Sequence, residues 1–260
     1  MKNITIIIPC HNEEKGIELV IREIPTKKLI TLGYKTEILV IDNNSTDKTA
    51  TVAHEHGATV IFEKKQGKGH AIRTGFSYID KDVDYIVMLD GDNTYKGSEI
   101  PRMIEPLEND FCDVIIGSRL EGKMVGKSLS FSHRVANWYF TFFARQFYSI
   151  NMTDTCTGFF AWKKEVVDKL LIHTKSSGFA IESEMITKMA KLGYKIFSVP
   201  ITYDSRKGES KLSPIRDGIK ITLMLIKNLT WKPIDSNTDI FKGLFNKIDL
   251  KKSFANYEKN

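Results

Sequence analysis

Short apolar runs that each end in a polar cluster constrain this chain more than any other feature of its 260 residues. They lie at 4–8, 37–41, 58–62, 85–89 and 114–116. Such short β-branched runs suit interior parallel strands covered on both faces. Between them the pattern predicts helices at about 14–24, 46–56, 68–79 and 98–108. Strand and helix alternating in this way make a doubly wound α/β sheet. The second half is less regular. A strand or turn is expected around 157–162, helices at about 164–171, 179–192 and 215–230, a returning strand at 195–203, and a polar loop at 204–213. Residues 131–150 are dense in aromatic side chains. There is no internal repeat, so one catalytic unit over 1–232 is expected, with an extension over 233–260. There Phe241, Leu244, Phe245 and Ile248 form the stripe of a short amphipathic helix.

Hydrophobic residues make up 42% of the chain and charged ones 27%, which fits an ordered domain and excludes a disordered one. The net charge of +6 is modest and spread along the chain, and no nucleic-acid-binding module is recognisable, so no nucleic-acid partner is expected. Cys10, Cys112 and Cys156 form no CxxC pair, and reduced, mostly buried thiols in a cytosolic protein are expected. The start reads as a charged strand, not a secretory leader, and no apolar run is long enough to span a bilayer. A soluble or membrane-peripheral protein is expected.

Ligands of open α/β sheets collect outside the carboxyl ends of the strands. Three polar clusters land there: Cys10 to Glu14, Asp42 to Asp47, and Asp90-Gly91-Asp92-Asn93. Ser45 or Asn44 is the expected N-cap of the following helix. Asp90 and Asp92 flank a glycine that permits a tight turn, so both carboxylates can serve one site. Such a pair beside phosphates suits Mg²⁺ or Mn²⁺, which would neutralise a pyrophosphate leaving group. Asp92 is the preferred direct ligand; Asp90 either shares the metal or holds ribose or sugar hydroxyls. No GxGxxG or GxxxxGK[ST] opens a helix, and no GxSxG elbow occurs. Dinucleotide oxidoreductases and α/β-hydrolases are therefore unsupported. Gly67-Lys68-Gly69-His70 reads either as a turn into a helix or as a loop near a nucleotide phosphate.

Eight segments carry a family resemblance in order: IIIPCHNEE at 6–14, VIDNNSTDKT at 40–49, GKGHAIRTGF at 67–76, MLDGDNTY at 88–95, IIGSR at 115–119, DTCTGFFAW at 154–162, GFAIESEM at 178–185 and YDSRKGESKL at 203–212. With these the chain resembles family 2 glycosyltransferases, in particular the dolichyl-phosphate mannosyltransferase and polyprenyl-phosphate glycosyltransferase branch. The resemblance covers about 3–230 and implies a GT-A fold, a Rossmann-like, mostly parallel sheet flanked by helices. It also implies a UDP- or GDP-sugar donor. By position, Pro9, Asn12 and Glu13 begin the nucleoside pocket, Asp42 contacts base or ribose, and Asp90 and Asp92 are the DxD carboxylates. Arg119 supplies a cation near the phosphates. Glu182 and Glu184 match an acidic pair on the acceptor side, and Arg206, Ser210 and Lys211 a loop engaging substrate phosphates.

Some positions depart from the pattern. Asn43 stands where many members carry a second aspartate, Asn93 where the mannosyl branch often has glutamine, and the QxxRW motif of processive synthases is absent. The reaction implied is one inverting, non-processive hexosyl transfer to a polyprenyl phosphate, at the cytoplasmic face of a membrane. The aromatic stretch would then be either core or an interfacial surface. The alternative is a saccharide or other hydroxyl acceptor, which would call for a carboxylate base, Glu182 or Glu184. Two positions apart on a helix, these two point in different directions, and one is expected to face solvent. Self-association and a membrane-protein partner are both left open.

Overall fold

The structure is a computed structural model that describes residues 1–125, 130–206 and 213–233. Residues 234–260 of the predicted extension over 233–260, and the positions Ser210 and Lys211, lie outside the described residues.

In β1 (Lys2–Cys10) every residue from Ile4 onward is buried, as expected of a strand covered on both faces. Side chains alternate: Ile6 and Ile8 enter one core and Ile7 the other. β2 (Tyr34–Asp42) and β4 (Tyr85–Met88) flank β1 in parallel, and β3 (Thr59–Phe62) lies outside β2. The register sets Pro9 opposite Ile41 and Cys10 opposite Asp42, so these two strands end level. The sheet is completed by β5 (Val114–Met124), β6 (Phe160–Lys163) and β7 (Ile196–Tyr203), in the order β3-β2-β1-β4-β6-β5-β7. β6 runs antiparallel to both its neighbours; the other pairings are parallel.

Helices α1 (Ile17–Glu23), α3 (Thr49–Glu55) and α5 (Ile100–Glu108) pack on one face through Val20, Ala53, Ile104 and their neighbours. α4 (Lys68–Ser77), α7 (Lys164–His173) and α8 (Ile181–Lys191) cover the other through Ile72, Leu170 and Met185. Each such fully buried aliphatic side chain stabilises the fold by about 1.5–3 kcal/mol. A short helix, α2 (Thr26–Thr31), was not expected; it buries Leu29. α6 (Phe131–Tyr148) and α9 (Pro214–Leu229) pack against each other and α8.

The expected helix cap is corrected. α3 begins at Thr49, so neither Ser45 nor Asn44 caps it. Ser45 Oγ instead accepts the Asn12 N–H at 3.0 Å, and Asp47 accepts the Thr49 N–H at 3.0 Å. The β2 loop is thus tied to the β1 loop before its helix begins. The aromatic stretch is one helix with two faces. Phe140 and Tyr148 are buried, whereas Trp138 is 63% and Phe142 50% exposed.

Candidate functional site

The aspartate turn follows β4 and packs on the end of β1. A Cβ at Gly91 would lie 2.4 Å from Cys10 Sγ, so only glycine allows this approach. Asn93 adopts a left-handed conformation, with φ of 61°, which closes the turn. Asp92 is buried; its Oδ1 accepts the Thr94 N–H at 3.1 Å and the Thr94 hydroxyl at 2.6 Å. Its Oδ2 lies 2.7 Å from Arg206 Nη2. Asp90 Oδ1 lies 2.6 Å from Lys68 Nζ, and its carboxylate rests on Gly158, where a Cβ would come within 2.5 Å of Oδ2.

Lys68, at the start of α4, joins two parts of the chain. Its Nζ also lies 2.7 Å from Glu182 Oε1, on the first turn of α8. Burial would lower the Lys68 pKa, but Asp90 and Glu182 outweigh it and hold the pKa above the ordinary lysine value. Burial raises the Glu182 pKa, reinforced by Asp90 and opposed by Lys68. Burial would likewise lower the Arg206 pKa, but Asp92 and Asp90 hold it high. Three carboxylates therefore face two cations, and the cluster carries one negative charge in excess.

Two cavities meet here. The smaller, about 240 Å³, lies between the ends of β1, β2 and β4 and is lined by Pro9, Glu13, Asn43, Gly67 and Asp92 among others. The larger, about 560 Å³, lies between α6, α8 and α9 and is lined by Arg119, Asn137, Glu182, Tyr203 and Ile221 among others. Lys68, Asp90, Phe179 and Arg206 line both.

The structure thus brings Pro9, Glu13, Lys68, Asp90, Asp92, Arg119, Glu182 and Arg206 to two adjoining cavities. Asn12, Asp42 and Asn93 line neither cavity. Asn12 Oδ1 accepts the Thr46 N–H at 2.8 Å, and Asp42 Oδ1 accepts the Ser45 N–H at 3.2 Å, so both shape the loops behind the site. Arg119 is buried and paired with Asp154, with Nε to Oδ2 at 2.8 Å.

Neither Glu182 nor Glu184 faces solvent, contrary to expectation. They do diverge. Glu184 turns away from the cavities, pairs with Lys188 at 2.5 Å and accepts the Ser176 N–H at 2.7 Å. That fixes the segment that leads to Phe179 and leaves Glu182 as the cavity-facing carboxylate of the pair.

Asn43, where many family members carry a second aspartate, shapes the site through its side-chain amide. Its amide donates to Lys65 O at 2.7 Å and accepts the Gly67 N–H at 2.7 Å. An aspartate could not donate in this way, so the asparagine clamps the loop that delivers Lys68.

The donor chemistry suits a hard divalent cation. Asp90 and Asp92 offer oxygen ligands alone, and Asp92 Oδ2 already faces a positive group, the Arg206 guanidinium. Among the described residues no three His, Cys, Asp or Glu side chains form a metal cluster, so the two aspartates would act as a pair beside ligand phosphates.

Comparison with known proteins agrees with this geometry. Residues 5–171 match Glycosyl transferase family 2, and the chain belongs to that family. It is 31% identical to the low-salt glycan biosynthesis hexosyltransferase Agl6 of Haloferax volcanii, over 86% of this chain and 53% of that protein. The chain thus spans about half the length of that relative. It is 30% identical to a dolichyl-phosphate hexose transferase of Haloferax volcanii, over 86% of this chain and 93% of the other. A solved structure of glucosyl-3-phosphoglycerate synthase from Mycobacterium tuberculosis, in complex with Mn²⁺, UDP-glucose and phosphoglyceric acid, superposes with a TM-score of 0.67. It is 19% identical and covers 90% of this chain and 82% of that one. The GT-A fold expected from the sequence is the fold observed.

Proposed function

We propose that this family 2 glycosyltransferase moves a hexosyl group from a UDP- or GDP-sugar in the smaller cavity to a phosphate-bearing acceptor in the larger one. The observation that carries this reading is the meeting of the two cavities at Lys68, Asp90 and Arg206. Asp90 and Asp92 would hold Mg²⁺ or Mn²⁺, which when bound neutralises the donor diphosphate and so stabilises the leaving group.

The acceptor oxygen bonds to the anomeric carbon as the bond from that carbon to the diphosphate breaks. The nucleoside diphosphate departs, and the configuration inverts. Lys68 holds Asp90 in place. Arg206 is set to exchange its partner Asp92 for donor phosphate, and Arg119 offers charge on the acceptor side. The protein acts mainly by alignment and charge compensation.

Two acceptor classes are separable. The superposed synthase, with phosphoglyceric acid bound, favours a hydroxyl acceptor. Glu182 would then be the base, and its raised pKa suits that work. The dolichyl-phosphate relative favours a polyprenyl phosphate, whose oxygen is already anionic and needs no base. A surface feature supports the second class. Phe131, Trp138, Phe142, Ile215, Ile219 and Leu223 are exposed on α6 and α9. The exposed charges on these two helices are Arg134, Arg145, Arg216, Lys220 and Lys227, and none is acidic. An apolar face rimmed by cations suits the surface of an anionic membrane. Among the described residues no helix is long and apolar enough to cross one.

The test is a panel of labelled nucleotide sugars against geranyl phosphate, 3-phosphoglycerate and simple saccharides, using the full chain and Glu182→Gln. With a prenyl phosphate acceptor, label enters the organic phase and Glu182→Gln keeps activity within about tenfold. With a hydroxyl acceptor, label stays in water and the variant loses about 10²–10⁴-fold. No transfer from any sugar to any acceptor would reject the proposal.

A further inference from the structure

We propose that Asp154 and Asn137 are positioning residues that aim Arg119 at the acceptor's phosphate. The inference rests on the reading that the larger cavity takes a phosphate-bearing acceptor.

Asp154 opens the DTCTGFF segment, is fully buried, and had no role beyond its place in a motif. Its carboxylate accepts five hydrogen bonds. Oδ2 takes the Arg119 backbone N–H at 2.9 Å and Arg119 Nε at 2.8 Å. Oδ1 takes Arg119 Nη2 at 2.9 Å, Asn137 Nδ2 at 2.6 Å and the Cys156 N–H at 3.2 Å. One carboxylate therefore fixes both the backbone and the side chain of Arg119. The register of β5 against β7 shifts between Ser118 and Lys123, so Arg119 lies within the strand at an irregularity. Such irregularities re-aim side chains.

The guanidinium is then held on two sides. Its Nε edge lies on Asp154, and the group stands 5.2 Å from the centroid of the Tyr203 ring. Nη1 makes no hydrogen bond to the described residues, while Arg119 lines the larger cavity. A buried planar cation with one edge unused matches the oxygens of a phosphate. Because Asp154 balances the charge, Arg119 can stay buried without a further anion.

Asn137 supplies the constraint that the ion pair lacks. A carboxylate and a guanidinium can rock together without losing their mutual bonds. The Asn137 amide prevents this by holding Asp154 Oδ1 from α6, while its own Oδ1 accepts the Cys156 N–H at 3.2 Å. Asn137 is itself buried and lines the same cavity. The next residue, Trp138, belongs to the exposed apolar face. Arg119 is thus anchored to the buried side of the helix that bears that face.

The test is titration calorimetry of the full chain with geranyl phosphate and, separately, 3-phosphoglycerate. UDP and GDP with Mn²⁺ serve as donor-side controls. Asn137→Leu and Asp154→Asn should weaken whichever phosphate the wild type binds by about tenfold, and leave nucleoside diphosphate affinity within about twofold. Asp154→Asn leaves a buried arginine unpaired and can fail to fold; Asn137→Leu removes no charge and keeps the test decisive. In an Arg119→Lys background, Asn137→Leu should cost nothing further, because both changes act through one guanidinium. Wild-type phosphate affinity in Asn137→Leu, equal weakening of both ligand classes, or full additivity with Arg119→Lys would overturn the positioning role. Unchanged phosphate binding in Arg119→Lys itself would remove the acceptor reading, and the positioning role with it.

Discussion

Each aspartate of the turn is neutralised by a different cation, and the two cations come from distant parts of the chain. Lys68 on Asp90 is 14% exposed and shared with Glu182; Arg206 on Asp92 is 30% exposed and lies just past β7. Arg206 therefore occupies Asp92 where a metal ion would compete for the same oxygen. Replacing it by Gln should tighten Mn²⁺ binding to the nucleotide-free protein by up to about fivefold, the scale of a partly exposed ion pair. The same variant should slow transfer, because the cation is missing when the diphosphate leaves. Mn²⁺ titration followed by electron paramagnetic resonance would check this; unchanged or weaker Mn²⁺ binding would contradict it. Asp90 and Asp92 were legible in the sequence because an apolar strand delivers them and a glycine separates them. The work of Lys68 was not, since its partners Asp90 and Glu182 are remote in sequence. The same is true of Asp154, which local patterning marks only as a polar residue before a strand.

Elements carry the next level of order. α8 begins beside the site and divides its two acids, Glu182 toward the cavities and Glu184 toward the segment before Phe179. Helical spacing foretold the divergence but not that both would be buried, because burial depends on remote partners: Lys68 of α4 on Glu182, and the segment at 175–176 on Glu184. Burial pushes the Glu184 pKa up, but hydrogen bonds from Lys188 and Ser176 outweigh it and hold the pKa below the ordinary value of 4.5. Ionised Glu184 thus stabilises the fold above that value, and its contribution is lost as pH falls through the lower folded-state pKa. Glu184→Gln should cost about 3 kcal/mol near neutral pH by leaving Lys188 without its buried partner. It should also flatten the fall in stability between about pH 5 and 3. Urea unfolding of both proteins across that range tests the sign; parallel acid limbs would contradict it. Element positions were mostly legible, from β1 and β2 through α4 to α9. The reversal of β6 was not, because a four-residue apolar strand bears no mark of its direction.

At the scale of the molecule, the sheet gathers its polar ends on one side, while α6 and α9 present apolar side chains with a basic rim. The density of aromatic residues at 131–150 was plain in the sequence. Which of them point outward depends on how α6 packs on α8 and α9, and no local pattern decides that. If this face meets a membrane, the full chain should sediment with vesicles containing anionic lipid and be released by salt. Phe142→Glu combined with Leu223→Glu should abolish sedimentation and leave the thermal midpoint nearly unchanged, since both side chains are exposed. Retention of vesicle binding by that double variant would place the contact elsewhere. The central claim is that Asp92 holds the cation on which sugar transfer depends. It is tested most directly by label transfer from the nucleotide sugar, comparing wild type with Asp92→Asn at equal folded concentration, with Mn²⁺ or with a chelator. Wild type should transfer only with the metal, and Asp92→Asn should be slower by about 10²–10³-fold, the scale of losing an essential charge-stabilising group. Equal rates in the chelator, or a fully active Asp92→Asn, would contradict it.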